Sequence, residues 1–415
     1  MRIVLIILYL HLVLLISYAQ KTKVLFIGNS YTGSHNLPFR VQELALSMGD
    51  SIEYDMAVFG GYTFNLHSTN TTTLSKIYSK AWDYVVLQEQ SQIPALSPSY
   101  VAANCFPYAH KLDSHITKNN ACSETVFFMT WGRKNGDAMN CASYPPVCTY
   151  NGMQARLRQS YLQMATNEHG SVAPVGAAWK MVRDSFPSIN LYEPDESHPT
   201  EQGTYLAACV FYCTLFHKSC VGSSYIFGSV TPTEAYQLQY AATRVTLDSL
   251  ATWQGTGDIP HAQFDYTLTG ATATFNNQSM NATNYLWDFG DSFSSTAVNP
   301  IHTYSSPGTY VVTLRASNSC KAFTTTDTLT ILPLQIDNEK QDKHWNAYPN
   351  PFRDVLYLNM PESAVVSIYA MNGQKISSFY VHQGMHVVQT NNWKEGRYML
   401  VFTTQAQNYY YLITK

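Results

Sequence analysis

Charge is scarce in this chain: Asp, Glu, Lys and Arg make up 13% of its 415 residues, and the net charge is -3. Its 25 Lys and Arg gather into no basic stripe of the kind that phosphate backbones require, which excludes nucleic acid as a partner. No Cys/His spacing resembles a zinc site, so neither a metal nor another cofactor is expected. Long apolar runs are also missing after the first residues. The opening MRIVLIILYLHLVLLISYAQ sets Arg2 before an apolar run from Ile3 to Ile16 and closes on the small residues Ser17 and Ala19. That run is shorter than the roughly 20 residues that span a bilayer. It predicts a secretory signal peptide over residues 1–19, cut after Ala19, in preference to a membrane anchor. No stable transmembrane segment is expected after cleavage.

What the chain does have is eight cysteines, seven of them between Cys105 and Cys220. Export into an oxidising compartment makes them candidate disulfides. Cys141 and Cys148 bracket a Tyr-Pro-Pro loop and are the first pair expected. Cys209 and Cys213 fall one helical turn apart, an awkward geometry for bridging each other, and read as buried thiols or as thiols with other partners.

The length is that of several folded units. From Lys23 to about Gly257, short apolar runs alternate with amphipathic stretches, the pattern of a parallel sheet covered by helices on both faces. Five strands are predicted: Val24 to Ile27, Ile52 to Val58, Tyr84 to Leu87, Thr125 to Trp131 and Val172 to Trp179. Helices are predicted from Leu37 to Met48, about Val101 to Thr117, Met153 to Ala165, Thr200 to His217 and Glu234 to Trp253.

After Gly255-Thr-Gly the helical period stops, and short strands rich in Thr, Tyr and Val take over. In Tyr285-Leu-Trp-Asp-Phe-Gly-Asp the three aromatics share one strand face, and Pro307-Gly308 makes a turn before Thr309-Tyr-Val-Val-Thr-Leu-Arg. These WDFGD and PGTY motifs resemble a PKD domain, an immunoglobulin-like sandwich, assigned here to residues 259–335. Polar residues 336–343 read as a linker. In residues 344–415, Tyr348-Pro-Asn-Pro-Phe352, the Met371-Asn-Gly-Gln turn and Gly396-Arg-Tyr-Met-Leu resemble the C-terminal sorting domain of type IX secretion. That resemblance implies the type IX machinery as a partner, passage through periplasm and outer membrane of a Gram-negative bacterium, and a product released or anchored at the cell surface.

In an open parallel sheet ligands bind beyond the carboxyl ends of the strands. The first strand runs straight into Gly28-Asn29-Ser30-Tyr31-Thr32, which sets a serine hydroxyl on a tight strand-to-helix turn, beside backbone amides able to face an oxyanion. Taken alone, Ser30 reads better as a helix cap. Before the last long helix of the unit stands Asp195-Glu-Ser-His198-Pro. Three residues apart, the carboxylate can hold the imidazole Nδ1 and leave Nε2 free to take a proton from serine.

The G-x-S-x-T turn followed by D-x-x-H-P, in that order and at that distance, resembles the SGNH/GDSL hydrolase family over residues 20–258. The resemblance implies a flavodoxin-like doubly wound α/β sheet, with the two all-β sandwich domains after it. It makes Ser30 the nucleophile and first oxyanion donor, His198 the base and Asp195 its orienting partner. Asn29 stands where the family motif has Asp. The second oxyanion donor falls on Phe59-Gly60-Gly61-Tyr62, with Gly61 favoured and Gly60 the alternate. The third block reads Gln88-Glu89-Gln90-Ser91 in place of G-x-N-D, and Gln90 supplies the amide, with Gln88 as the alternate or as a substrate contact. Trp131 and Arg133, after the fourth strand, are candidates to stack on a sugar and to pair with a carboxylate or sulfate, or else form a solvated loop with a core-anchoring Trp.

The function expected is ester hydrolysis by a Ser-His-Asp triad, most simply deacetylation of a polysaccharide or of an acylated small molecule. A cell-surface glycan-binding or adhesion protein with an impaired hydrolase domain is the alternative.

Overall fold

The computed structural model describes residues 21–255, 257–332, 346–371, 373–404 and 408–415. The expected signal peptide and the 336–343 linker lie outside these. The chain divides into two compact units, one through Asp258 and one from Ile259.

The first unit is built on five parallel strands: β1 (Thr22–Gly28), β2 (Ile52–Val58), β3 (Tyr84–Leu87), β4 (Glu124–Phe128) and β5 (Ser171–Ala173), in the spatial order 2-1-3-4-5. This is the flavodoxin-like doubly wound order, and its switch point lies between β1 and β3. Interleaved are α1 (Ser30–Gly33), α2 (Leu37–Ser47), α3 (Phe64–His67), α4 (Thr71–Ile77), α5 (Pro98–Asn104), α6 (Phe106–Asn119) and α7 (Tyr150–Asn167). There follow α8 (Val175–Ser185), α9 (Glu201–Phe216), α10 (Pro232–Leu247) and α11 (Leu250–Gln254).

Alternation along each strand feeds two cores. Leu25, Ile27, Val85, Leu87 and Phe127 pack with Leu112 and Ile116 of α6 and Leu157 and Tyr161 of α7. On the other face Phe26 and Phe128 meet Phe211 of α9 edge-on, with ring centroids 5.5 and 4.9 Å apart. Every residue of α9 from Gly203 to Leu215 is buried, so this helix has no solvent-facing side over that stretch.

Four sequence expectations need correction, the first being the helix expected from Glu234 to Trp253, which ends at Leu247 and gives way to a separate α11 from Leu250. The fourth strand stops at Phe128, short of Trp131. The stretch Val172 to Trp179 is a three-residue strand followed by α8. Pro174 separates the two, and Val175, Ala178, Trp179 and Val182 bury one helical face. The helix expected from Val101 to Thr117 breaks at Cys105, because Pro107 opens a new helix in its first turn. Cys141 and Cys148 form a disulfide with Cα atoms 4.6 Å apart, and Cys105, Cys209, Cys213 and Cys220 are buried free thiols.

The second unit is all antiparallel strand. Sheets Phe264–Thr269/Thr272–Asn277/Ile301–Thr303 and Asn284–Asp288/Ser294–Ser295/Gly308–Ser317/Ala322–Ile331 enclose Phe275, Trp287, Phe289, Tyr304 and Leu314. A separate core, including Leu356, Leu358, Val366, Ile368, Leu400 and Phe402, lies between the two sheets of residues 346–415. No described helix is long and apolar enough to cross a membrane.

Candidate active site

The nucleophile candidate is held by the switch point itself. Asn29 caps α1, its Oδ1 accepting from the Tyr31 N–H at 3.2 Å, so Ser30 begins the helix at the carboxyl end of β1. From the end of β3, Gln88 reaches across: its Oε1 accepts the Asn29 N–H and the Thr32 hydroxyl, both at 2.9 Å, while its Nε2 donates to Glu89 O. A Cβ on Gly28 would stand 2.7 Å from that Oε1, so only glycine lets the two strand ends approach this closely. His67 braces the turn from beneath, its Nε2 3.1 Å from Gly28 O.

The base candidate, His198, comes from a closed loop. Tyr192 and Pro199 form an antiparallel bridge, Glu193 N–H donates to His198 O at 2.9 Å, and Glu196 takes a left-handed φ of 61°. This curls Asp195 back on the loop. Its Oδ1 accepts the amides of Ser197 and His198 at 3.0 and 2.9 Å, and its Oδ2 meets His198 Nδ1. Partial burial pushes the Asp195 carboxyl up, but the His198 ring and the two amides outweigh it and hold the carboxyl below its ordinary value. His198 Nε2 then lies 2.8 Å from Ser30 Oγ. The structure therefore brings Ser30, His198 and Asp195 together in the order a proton relay needs. Both side chains of the pair are open to solvent, at 39% and 49% exposure for His198 and Asp195.

Among the described residues nothing accepts a hydrogen bond from the Ser30 or Gly61 N–H. Gly61 is exposed and sits at φ +69°, in a turn closed by Tyr62 N–H to Phe59 O. Asn29 Nδ2 donates to Tyr62 O at 3.0 Å, which ties that turn to the serine turn. An Asp at position 29 could not make this bond, so the departure from the family motif has a structural use.

Two of the remaining assignments change. Gln88 is fully buried with its carboxamide committed inside the protein, so it supports the serine turn and cannot touch a substrate. Trp131 is 1% exposed, stacked between Tyr31 and Trp179 at 4.7 and 3.9 Å with its Nε1 donating to Ser197 O, so no sugar can stack on it. Gln90 folds over its own turn: its Oε1 accepts the Gln92 and Ile93 amides and its Nε2 donates to Gln92 Oε1, which leaves one side-chain N–H. Arg133 stays partly open, 3.8 Å from the buried carboxylate of Asp137.

Sequence reading missed Tyr31, whose hydroxyl is 2.6 Å from Ser197 Oγ and whose ring stands edge-on to His198 at 5.3 Å. Its place beside Ser30 on the first helical turn was the available signal. No group of three or more His, Cys, Asp or Glu among the described residues is arranged to hold a metal.

Comparison with known proteins separates the two halves of the chain. Residues 258–332 match the PKD domain family, and residues 346–413 match the secretion system C-terminal sorting domain. The second unit thus carries a PKD domain and a sorting domain. No curated protein matches the chain in sequence. Among solved structures, a DUF4886 family protein from Bacteroides uniformis is 19% identical, covering 55% of this chain and 95% of its own at a TM-score of 0.49. A GDSL-like lipase from Parabacteroides merdae is 14% identical, covering 47% and 95%, with a TM-score of 0.36. The PKD1 domain of the Vibrio cholerae metalloprotease PrtV is 31% identical over 17% of this chain and 95% of its own, with a TM-score of 0.17.

Proposed function

We propose that the first unit is a Ser-His-Asp esterase of the SGNH/GDSL kind, exported by its sorting domain, that removes small acyl groups, acetyl above all, from polysaccharide. The observation that carries this reading is the 2.8 Å contact between Ser30 Oγ and His198 Nε2, with Nδ1 of the same ring on Asp195. Asp195 fixes the tautomer with the proton on Nδ1, so the Nε2 lone pair faces the serine hydroxyl. As Ser30 Oγ attacks the ester carbonyl its proton passes to Nε2, and the tetrahedral oxyanion is met by the Ser30 and Gly61 N–H groups and the remaining Gln90 N–H. His198 returns the proton to the leaving alcohol oxygen. Water, deprotonated by the same nitrogen, then releases the acid and restores Ser30.

The openness of the site supports a small acyl group on a bulky substrate. The exposed edges of His198 and Asp195 suit a polymer lying across them, and a deep acyl tunnel would bury them. An apolar groove of about 550 Å³, lined by Met129, Ala155, Ala177 and Met181, shares no residue with the triad. Arg133 is the group proposed to meet an acidic substituent on the sugar. Release from the cell or retention at its surface follows the sorting domain.

The test is hydrolysis of p-nitrophenyl acetate and acetylated xylan by the whole protein. Ser30→Ala and His198→Ala should each lower kcat by about 1,000-fold or more. Equal rates in all three proteins would refute the triad.

A further inference from the structure

Glu89 stands two residues past the end of β3, has no exposed surface, and plays no part in the relay described above. Both of its carboxyl oxygens accept the Phe64 N–H, at 3.0 and 3.2 Å, and Oε1 also accepts the Gln90 N–H at 2.6 Å. Phe64 opens α3, three residues beyond Gly61, and Gln90 is the amide of the third block. One carboxyl group therefore ties the loop after β2 to the loop after β3.

Such a group is an expensive way to hold two amides. Burial raises the Glu89 acid to about 8, opposed by hydrogen bonds from Gln90, Phe64 and Cys105. The titratable groups beside it are the Cys105 thiol, between α5 and α6, and the Tyr161 phenol of α7. Neither is a cation, and a buried carboxyl without one is costly against an amide or apolar residue of similar volume. The two loops it joins are those that carry the oxyanion donors other than Ser30.

We infer that Glu89 is a positioning residue: its carboxyl group sets the distance between Gly61 and Gln90 and thereby the shape of the oxyanion pocket. This rests on Ser30 being the nucleophile. Glu89 touches no reacting atom and acts through the Phe64 and Gln90 amides. In its ionised form both oxygens are acceptors, whereas the protonated acid keeps one good acceptor, so the clamp tightens with rising pH.

The experiment compares whole wild-type protein, Glu89→Gln, Glu89→Ala and Ser30→Ala on p-nitrophenyl acetate from about pH 6 to about pH 10. Active sites are counted with a fluorophosphonate, so that rates refer to folded protein. Glu89→Gln, which keeps the volume but turns an NH2 toward one of the two amides, should lower kcat per titrated site about tenfold or more. Its KM should stay within about twofold, the split expected of a group felt in the transition state. The wild type should show a rise in kcat near pH 8 that Glu89→Gln lacks. Should Glu89→Ala fold poorly, Glu89→Gln alone decides. Wild-type kcat and pH profile in Glu89→Gln, with Ser30→Ala inactive, would overturn the inference and leave the triad standing. An active Ser30→Ala would overturn both.

Discussion

His67 lies under the nucleophile turn with both ring nitrogens engaged, Nε2 on Gly28 O and Nδ1 2.9 Å from Thr73 Oγ1. Gly28 O can only accept, so Nε2 carries a proton, and in the neutral ring Nδ1 accepts from the Thr73 hydroxyl. Burial drives the ring down to about 4, with the Gly28 carbonyl pulling the other way. Because the folded value lies below the unfolded one, protonation favours the unfolded chain. The stability tied to His67 is complete above about pH 6.5 and is lost as pH falls toward 4. The melting temperature of the wild type should therefore drop through this range more steeply than that of His67→Gln, whose amide can still donate to Gly28 O. Parallel curves for the two proteins would show that the ring carries no such linkage. At this scale the sequence singled out Ser30, Asp195 and His198, the three side chains that the structure brings together, because they stand beside turn residues. His67 and Glu89 were hidden, since a buried polar residue announces itself only through partners distant along the chain.

Tyr31, Trp131 and Trp179 form a stack of three near-parallel rings that joins α1, the loop after β4 and α8 beneath His198. Emptying its centre by Trp131→Ala should cost about 3–5 kcal/mol of stability, as for large aromatic deletions in cores. Trp131→Phe should leave KM for acetylated xylan unchanged, and a marked rise in KM would return Trp131 to the substrate face. The strands around the switch point were legible because each is buried on both sides and reads as an unbroken apolar run. The same property misled at β4 and β5. An apolar run does not say where a strand stops, and Trp131, three residues past Phe128, takes its direction from irregular backbone. At Val172 to Trp179 strand and helix were both apolar, and only Pro174 marked the change.

Across the whole molecule, the α/β unit and the two β modules carry separate cores, and the change from one to the other near Asp258 is visible in the sequence as the loss of helical period after Gly255. The sorting domain gives a prediction at this scale. A chain lacking residues 346–413 should remain in the cell fraction and show there the ester hydrolysis proposed above, whereas the full chain should appear outside the outer membrane; equal distribution of the two would separate this domain from export. The serine and the histidine have a different relation to the chain. Asp195 and His198 are assembled by one short bridged loop, but Ser30 meets them only across 168 residues of sequence. The imidazole–carboxylate couple is closed within one loop, while Ser30 reaches it only when the first strand is docked in its finished sheet. Covalent labelling of that hydroxyl is therefore a readout of sheet closure, able to separate completed molecules from chains whose loop alone has formed.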